Sequence, residues 1–295
     1  MAMAVAAYQE PPASPKVIAV DKIRDNLYVL KGSRTGGGGG GNTTILIGGS
    51  GVVVIDTKLP EWGRPLIATI RTLTSKPITT IINTHAHPDH VGGNVDFPGT
   101  VEVIAQENTA RYLREWKPVY GFPLGTQFDI FGESRGTGLP ARTFKEKLTI
   151  GEGADQIDLR YFGRAHTGGD AFVIFPALGV MHVADTFPAK DLPIIDANNG
   201  GSGVAFPETL LKAAAVAGID TIINGHNATT TTPADLREYA AFMGEFVAFV
   251  QAGKKSGKSV DEIAAAWKTP AAYAGYEQRP MRLTADVQVV FDETP

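Results

Sequence analysis

Short apolar runs, separated by polar or glycine-rich turns, dominate the first half of the chain and predict β-strands. These predicted strands are residues 26–31, 43–47, 52–55, 77–83 and 101–105. Between them, residues 61–75 and 107–117 carry apolar side chains at three- and four-residue spacing, which predicts amphipathic helices. The alternation of strands and helices places this half in the α/β class.

The second half begins with further strands, predicted at residues 144–150, 156–162, 171–175, 180–184 and 221–223. Helices follow, predicted at 207–217 and after capping boxes that begin at Thr232 and Ser259. Residues 281–295 fit either a helix or a strand. No linker divides the chain, so we expect a flexible leader over 1–18 and a single domain with C-terminal helices over 19–295.

Two segments lack a regular pattern. Residues 36–41 are six glycines, but no Lys-Ser/Thr pair or helix follows, so a hairpin tip is favoured over a phosphate-binding loop. Residues 117–142 combine glycines, prolines and four aromatic residues. A long irregular segment that is rich in aromatic residues is expected to pack beside a pocket.

The composition limits the possible partners and the possible metal ligands. The formal charge is −4 and no basic run stands out, so neither a nucleic acid nor an anionic membrane is expected as a partner. No apolar run is long enough to span a bilayer. The chain has no cysteine, so any metal must be held by histidine and carboxylate. The small apolar start at residues 1–8 is either a signal remnant or a disordered end, and slightly favours a periplasmic or exported location over the cytoplasm.

Three of the six histidines fall within residues 85–90, together with Asp89. This stretch follows the predicted strand 77–83, so its side chains leave the strand's carboxyl end on one loop. Imidazole and carboxylate ligands suit a borderline divalent metal such as zinc. The alternative is a polar surface loop, but so dense a run in a histidine-poor chain favours a metal site.

His166, Asp185 and His226 each stand at the end of a predicted strand. Residues at the same edge of a sheet can converge although they are far apart in sequence. His182 differs because it lies within a predicted strand and outside these motifs, so we expect it to be a structural imidazole.

The motifs together resemble the metallo-β-lactamase superfamily in order and spacing along residues 26–230. They are His-x-His-x-Asp-His at 85–90, His-Thr-Gly-Gly-Asp at 166–170, Asp-Thr-Phe at 185–187 and Gly-His at 225–226. The resemblance implies an αββα sandwich of two central sheets with helices on the outer faces. It also implies that the metals lie at one edge of the sheets.

The resemblance also implies a ligand set for two zinc ions, with iron or manganese as alternatives. The first metal would be held by His85, His87 and His166. The second would be held by Asp89, His90 and His226, and Asp185 would bridge the two. Asp56 and Asp170 are candidates to accept the outer N–H groups of the metal-binding imidazoles.

The implied activity is hydrolysis of a carboxylic ester, thioester, lactone or lactam by a small-molecule hydrolase. A water shared by two metals has a pKa lowered toward about 7, which gives a metal-bridging hydroxide at neutral pH. Asp89 would orient that nucleophile or relay its proton. A bridging aspartate resembles hydroxyacylglutathione hydrolases and lactonases more than β-lactamases, although Pro188 replaces a tyrosine typical of acyl-homoserine lactonases.

β-Lactam hydrolysis, including a weak side activity, remains an alternative, as does an iron-dependent oxidoreductase that resembles persulfide dioxygenases. Residues 188–203 follow the bridging aspartate and should border the substrate. Lys190, Asn198 and Asn199 could meet a carboxylate or oxyanion there, or could belong to a plain surface loop. Phe122 could supply an apolar pocket wall, and the composition suggests a moderately apolar acyl or lactone substrate.

Overall fold

The protein is described here by a computed structural model covering residues 16–32, 39–121, 129–227, 230–277 and 279–295. Its strands are β1 (Val20–Lys22), β2 (Leu27–Leu30), β3 (Thr43–Ile47), β4 (Val52–Ile55), β5 (Ile78–Asn83), β6 (Glu102–Gln106), β7 (Arg142–Phe144), β8 (Lys147–Ile150), β9 (Ile157–Arg160), β10 (Phe172–Phe175), β11 (Val180–Ala184) and β12 (Thr221–Asn224). Its α-helices are α1 (Gly63–Leu73), α2 (Pro88–Val91), α3 (Glu107–Glu115), α4 (Ile130–Glu133), α5 (Phe206–Ala214), α6 (Pro233–Lys255), α7 (Val260–Ala266) and α8 (Pro280–Glu293).

The strands form two sheets. In the first, β1 to β7 lie side by side in chain order, antiparallel from β1 to β4 and parallel from β4 to β7. In the second, the order is β12-β11-β10-β9-β8, and the β11–β12 pair is parallel. Each parallel pair brings two strand ends to one edge of its sheet.

Three apolar cores define the layers. Between the sheets, alternate residues of both sheets, such as Ile55 and Val173, form one core. On the far side of the first sheet, Val54 and Ile81 pack against Leu66 of α1. On the far side of the second sheet, strand residues such as Val183 pack against α5 to α8. The predicted αββα sandwich is confirmed.

Most predicted elements are found within a few residues of their predicted bounds. The predicted strand at 144–150 is wrong as a single element, because β7 pairs in the first sheet and β8 in the second. Residues 145 and 146 carry the chain from one sheet to the other. The ambiguous C-terminal segment is the helix α8, and both predicted capping boxes are present at Thr232 and Ser259.

Several predictions fall wholly or partly outside the described residues. They concern the leader at 1–18, of which 1–15 are not described, glycines 36–38, and residues 122–128 of the irregular segment. No helix among the described residues combines the length and the apolar character that crossing a membrane requires.

Candidate metal centre

The candidate site lies where strands of both sheets end. Asp56 follows β4 and the stretch 84–90 follows β5; because these strands are parallel, both segments leave the same edge of the first sheet. Asp185 follows β11 and His226 follows β12, which are also parallel, so they leave one edge of the second sheet. Salt-bridge contacts between His226 and Asp89 join the two edges, with Nε2 and Oδ2 3.2 Å apart.

Three histidines form the first group. His85, His87 and His166 are all buried, and one ring nitrogen from each lies within 4.8 Å of the others. The closest approach is between Nδ1 of His87 and Nε2 of His166, which are 3.0 Å apart. Their distances suit three imidazoles around one metal ion.

The outer nitrogens of this pair are already hydrogen-bonded. Nε2 of His87 donates to Oδ2 of Asp196 at 2.8 Å, and Nδ1 of His166 donates to the carbonyl oxygen of Ile194 at 2.6 Å. Each neutral imidazole carries one N–H, so the facing nitrogens of both rings are left unprotonated. Two lone pairs therefore face each other in a buried site, an arrangement that a cation stabilises.

Asp56 fixes two further imidazoles. Its Oδ2 accepts from Nδ1 of His90 at 2.7 Å and from the hydroxyl of Thr84 at 2.6 Å. Because that hydroxyl donates to Asp56, its oxygen accepts from Nδ1 of His85 at 2.9 Å. Nε2 of His85 is buried and has no hydrogen-bond partner among the described residues. One carboxylate thus turns the inner ring nitrogens of two histidines toward the site.

The second group is Asp89, His90 and His226, again with ligand atoms within 4.8 Å of one another. Nε2 of His90 lies 3.3 Å from Nε2 of His226. Asp185 lies between the two groups: its carboxylate oxygens are 3.1 Å from Nε2 of His226, 3.3 Å from that of His90 and 3.9 Å from that of His166. The carboxylate that was expected to bridge the groups is therefore placed between them.

Burial and neighbouring charges shift the pKa values of the cluster in opposite directions. Burial, together with the adjacent His87, lowers the pKa of His166 to about 3. Burial also opposes the charged form of His226, but the Asp185 and Asp89 carboxylates outweigh it and raise its pKa to about 9. Imidazoles and carboxylates packed this closely form a donor set that fits a divalent metal ion, which would displace the protons of His90 and His226.

The sequence profile of the metallo-beta-lactamase superfamily matches residues 36–241, which include every residue of both groups. The chain belongs to the metallo-beta-lactamase superfamily. Among solved structures, it resembles a metallo-beta-lactamase from Pontibacter korlensis, with a TM-score of 0.62 and 20% identity over 77% of this chain and 99% of that one. An inverting sec-alkylsulfatase from Pseudomonas sp. has a TM-score of 0.67 and 20% identity, covering 94% of this chain and 50% of that one. At these identities the two structures establish the fold alone.

A curated relative is more similar in sequence over a shorter stretch. The alpha subunit of a 2,4-dinitroanisole O-demethylase from Nocardioides sp. is 32% identical over 114 residues. The match spans 38% of this chain and 30% of the relative, so less than a third of that protein's length is covered.

One carboxylate departs from its expected place beside the candidate ligands, and another takes a place that was not expected. Asp170 was expected to accept from an imidazole, but its partners are the backbone N–H and the hydroxyl of Thr167, at 2.5 to 3.1 Å. Burial raises the pKa of Asp170 to about 7 despite these donors. Asp196, which the sequence did not single out, instead accepts from His87. Its carboxylate also accepts from Asn199 and from the backbone N–H of Tyr120.

His182 lies between the sheets, next to the edge that carries the candidate ligands. It is fully buried, and its Nδ1 is 2.9 Å from the hydroxyl of Thr44. Burial lowers its pKa to about 4, so the ring is neutral at physiological pH. It belongs to none of the three clusters of candidate ligands found among the described residues.

The residues expected to contact a substrate differ in exposure and in their hydrogen bonds. Lys190 is exposed, whereas Asn199 is buried and its amide nitrogen donates to Asp196 at 2.6 Å. The amide of Asn198 donates to the carbonyl of Pro118 at 2.8 Å. The Asn199 amide also donates to the Lys117 carbonyl at 3.4 Å, so both asparagines join the segment 117–121 to the loop after Asp185. Phe122 lies outside the described residues.

The last glycines of the six-glycine run pack on the second ligand group. The backbone N–H of Gly41 donates to the carbonyl of Asp89 at 3.0 Å, and a Cβ at Gly41 would lie 2.4 Å from the His90 ring. The buried ammonium of Lys58 donates to the carbonyls of Leu30, Lys31 and Gly41 at 2.8 to 3.1 Å. Burial lowers the pKa of Lys58 to about 7, against the pull of nearby carboxylates.

Proposed function

We propose that the protein is a metal-dependent hydrolase that binds two divalent cations, zinc first among them. The three-histidine group would hold one ion and the group of Asp89, His90 and His226 the other, with Asp185 shared. The observation that carries the proposal is the set of inner ring nitrogens, on imidazoles fixed by outer hydrogen bonds, that converge from both sides on the Asp185 carboxylate.

When bound, such metals supply a nucleophilic water of lowered pKa and polarise the oxygen of the bond under attack. The protein's own part is to orient that water and to manage its proton. Asp89 suits this task because its side chain is 28% exposed, against 14% for Asp185, so it faces the open side of the cluster. Burial opposes its ionisation, but the imidazoles of His90 and His226 keep its pKa below the usual range, so it accepts hydrogen bonds at neutral pH.

The proposed substrates are small carboxylic esters, thioesters, lactones or lactams. A carbonyl compound of this kind develops negative charge on one oxygen during attack, and a cationic centre stabilises that charge. β-Lactams belong to the same chemical class and are the nearest alternative substrates. An aspartate at the shared position, in a chain that lacks cysteine, supports the broader ester and lactone class.

A second candidate is cleavage of an activated aryl methyl ether. This reaction is a candidate because the 2,4-dinitroanisole O-demethylase subunit is 32% identical to this chain over 114 residues. The ligands of the three-histidine group together with Asp185 could also serve a single iron in an oxidoreductase, which is the alternative of another class.

Metal analysis followed by a substrate panel tests these proposals. The purified protein is first analysed for zinc, iron and manganese, and about two zinc ions per chain are expected. Turnover is then measured on an aryl acetate, a thioester, a γ-lactone, a cephalosporin and 2,4-dinitroanisole. Metal-dependent release of acid from an ester, thioester or lactone supports the hydrolase. One iron per chain with oxygen uptake would overturn it, and a metal-loaded protein that turns over none of the panel would contradict it.

A further inference from the structure

The loop between β11 and α5 supports the three-histidine group from behind. It supplies the Ile194 carbonyl to His166 and the Asp196 carboxylate to His87. Apart from a single 3₁₀ turn over Ala197–Asn199, residues 185–204 have no regular helix or strand. Something other than secondary structure must therefore fix the positions of these two acceptors.

The C-terminal helix α8 and the residues just before it contact this loop along its length. The backbone N–H of Glu277 donates to the Lys190 carbonyl at 3.0 Å. In the first turn of α8, Nη1 of Arg282 donates to the Leu192 carbonyl at 2.9 Å and lies 3.2 Å from the buried carboxylate of Asp191. A charge-assisted hydrogen bond of this kind is stronger than one between neutral groups.

Further along α8, the fully buried carboxyl group of Asp286 accepts a hydrogen bond from the backbone N–H of Ile195. At the end of the helix, Oε2 of Glu293 accepts from the backbone N–H of Val204 at 3.0 Å. The contacts thus follow the same order along the helix and along the loop. The contact at Ile195 matters most for the site, because Ile195 stands between Ile194 and Asp196, the two residues that accept hydrogen bonds from His166 and His87.

We propose that Arg282 and Asp286 are positioning residues, through which α8 sets the orientation and the protonated nitrogen of His87 and His166. Because α8 holds the loop backbone on both sides of Ile194 and Asp196, the Ile194 carbonyl and the Asp196 carboxylate stay directed at the outer nitrogens of the two rings. This inference rests on the proposed metal site, and it assigns a role in that site to a helix beyond residue 241, where the superfamily match ends.

Two variants and two controls separate this role from a general effect on folding. Asp286→Leu removes the acceptor of the Ile195 N–H, and Arg282→Met removes the donor to Leu192. Asp286→Asn keeps an oxygen acceptor, and since burial raises the pKa of Asp286 well above its usual range, the amide closely matches the protonated acid; this variant should restore normal behaviour. Asp292→Asn changes an exposed residue of the same helix and should have no effect.

The readout is nitrogen–proton NMR of the imidazoles in protein labelled with ¹⁵N-histidine, recorded without metal and with zinc. In Asp286→Leu and Arg282→Met, the Nε2–H of His87 and the Nδ1–H of His166 should shift and exchange faster with water. The Nδ1–H of His90, which Asp56 holds on the other sheet, should stay unchanged. Zinc affinity of the three-histidine group should fall about tenfold, at the low end of the range for lost outer hydrogen bonds.

Unchanged His87 and His166 signals in both variants would overturn the inference. An equal disturbance of the His90 signal would also overturn it, since it would show a global loss of structure instead of a directed effect. Failure of the unmodified protein to bind zinc would contradict the proposed function instead, and the metal-free spectra would still report on the role of α8.

Discussion

Oδ2 of Asp196 lies 2.8 Å from Nε2 of His87, although 109 residues separate the two in sequence. The same oxygen accepts from the amide of Asn199 at 2.6 Å, and the other oxygen accepts from the backbone N–H of Tyr120 at 2.9 Å. His87 and Asn199 pull the pKa of this largely buried carboxyl group below its usual value against the effect of burial. Asp196 is thus an ionised acceptor surrounded by donors.

Asp196→Asn should weaken metal binding. An amide in this place presents its own NH₂ group to donors that need an acceptor, so the N–H of His87 loses its partner or Asn199 does. Zinc affinity is expected to fall roughly 10- to 100-fold, as for other outer partners of metal-binding histidines. Competition titration with a chromogenic zinc indicator measures this. Asp25→Asn, at a fully exposed aspartate, is the control and should bind zinc as the unmodified protein does.

Asp185→Asn should reduce metal content and turnover together. The substitution keeps the shape of the side chain but removes the charge that lies within 3.9 Å of His90, His166 and His226. Metal analysis after dialysis should show fewer than the roughly two ions expected of a dinuclear site. Normal metal content and normal turnover would refute the shared role.

His182→Gln should leave the metal content unchanged. The ring is buried beside the site, but its Nδ1 faces the Thr44 hydroxyl, and it joins no cluster of candidate ligands among the described residues. A glutamine can replace the hydrogen bond to Thr44, so the main cost should be in stability. Metal analysis decides the matter: loss of an ion from this variant would mean that His182 is a ligand.

Gly41→Ala should disturb the second ligand group. The added Cβ would lie 2.4 Å from Cε1 of His90, a ring that Asp56 holds in place. Overpacking of this kind typically costs about 1–3 kcal/mol. We expect calorimetry to show a lower melting temperature and metal analysis to show a loss of metal from the second group. Gly99→Ala is the control, because nothing lies within 4 Å of a Cβ at that exposed position.

Asp170→Asn should change how the stability of the metal-free protein depends on pH. Burial raises the pKa of Asp170 from 3.8 to about 7, so the folded state keeps a proton that the unfolded chain releases. Its contribution to stability is therefore fully present below pH 3.8 and is lost as pH rises through 7. The variant should be more stable than the unmodified protein at pH 8, by at most about 4 kcal/mol, and the gain should vanish toward pH 4. Denaturant unfolding at both pH values tests the sign.

The candidate ligands could be found in the sequence because each stands at a strand end, and apolar runs show where strands end. Their division into two groups came from the resemblance to the superfamily. Parallel pairing of β4 with β5 and of β11 with β12 then brings those ends together. Asp56 was predictable for the same reason: its neighbour across the parallel pair is the loop that begins at Thr84. The fold and most residues of the candidate site could therefore be inferred from the sequence.

Some features could not be predicted from the sequence. They depend on the course of irregular loops through the fold, or on nearby donors that compete for the same carboxylate. Asp196 lies in an irregular loop, so nothing periodic indicates that it returns to His87. Asp170 has a backbone N–H and a hydroxyl three residues away, and these close donors occupy its carboxylate before any imidazole can. The apolar run at 144–150 hides a change of sheet, because β7 and β8 have the same strand character.

Both sheets contribute donors to one cluster, with His85 to His90 coming from the first and His166, Asp185 and His226 from the second. A bound metal would therefore cross-link the two halves of the sandwich, in addition to the hydrogen bonds that already join them at this edge, such as that from His87 to Asp196. Ligand linkage gives about 4 kcal/mol of stability when free metal exceeds its Kd a thousandfold. A chelator should thus lower the Tm of the whole sandwich as well as abolish turnover, which would make metal supply part of the protein's folding as well as of its chemistry.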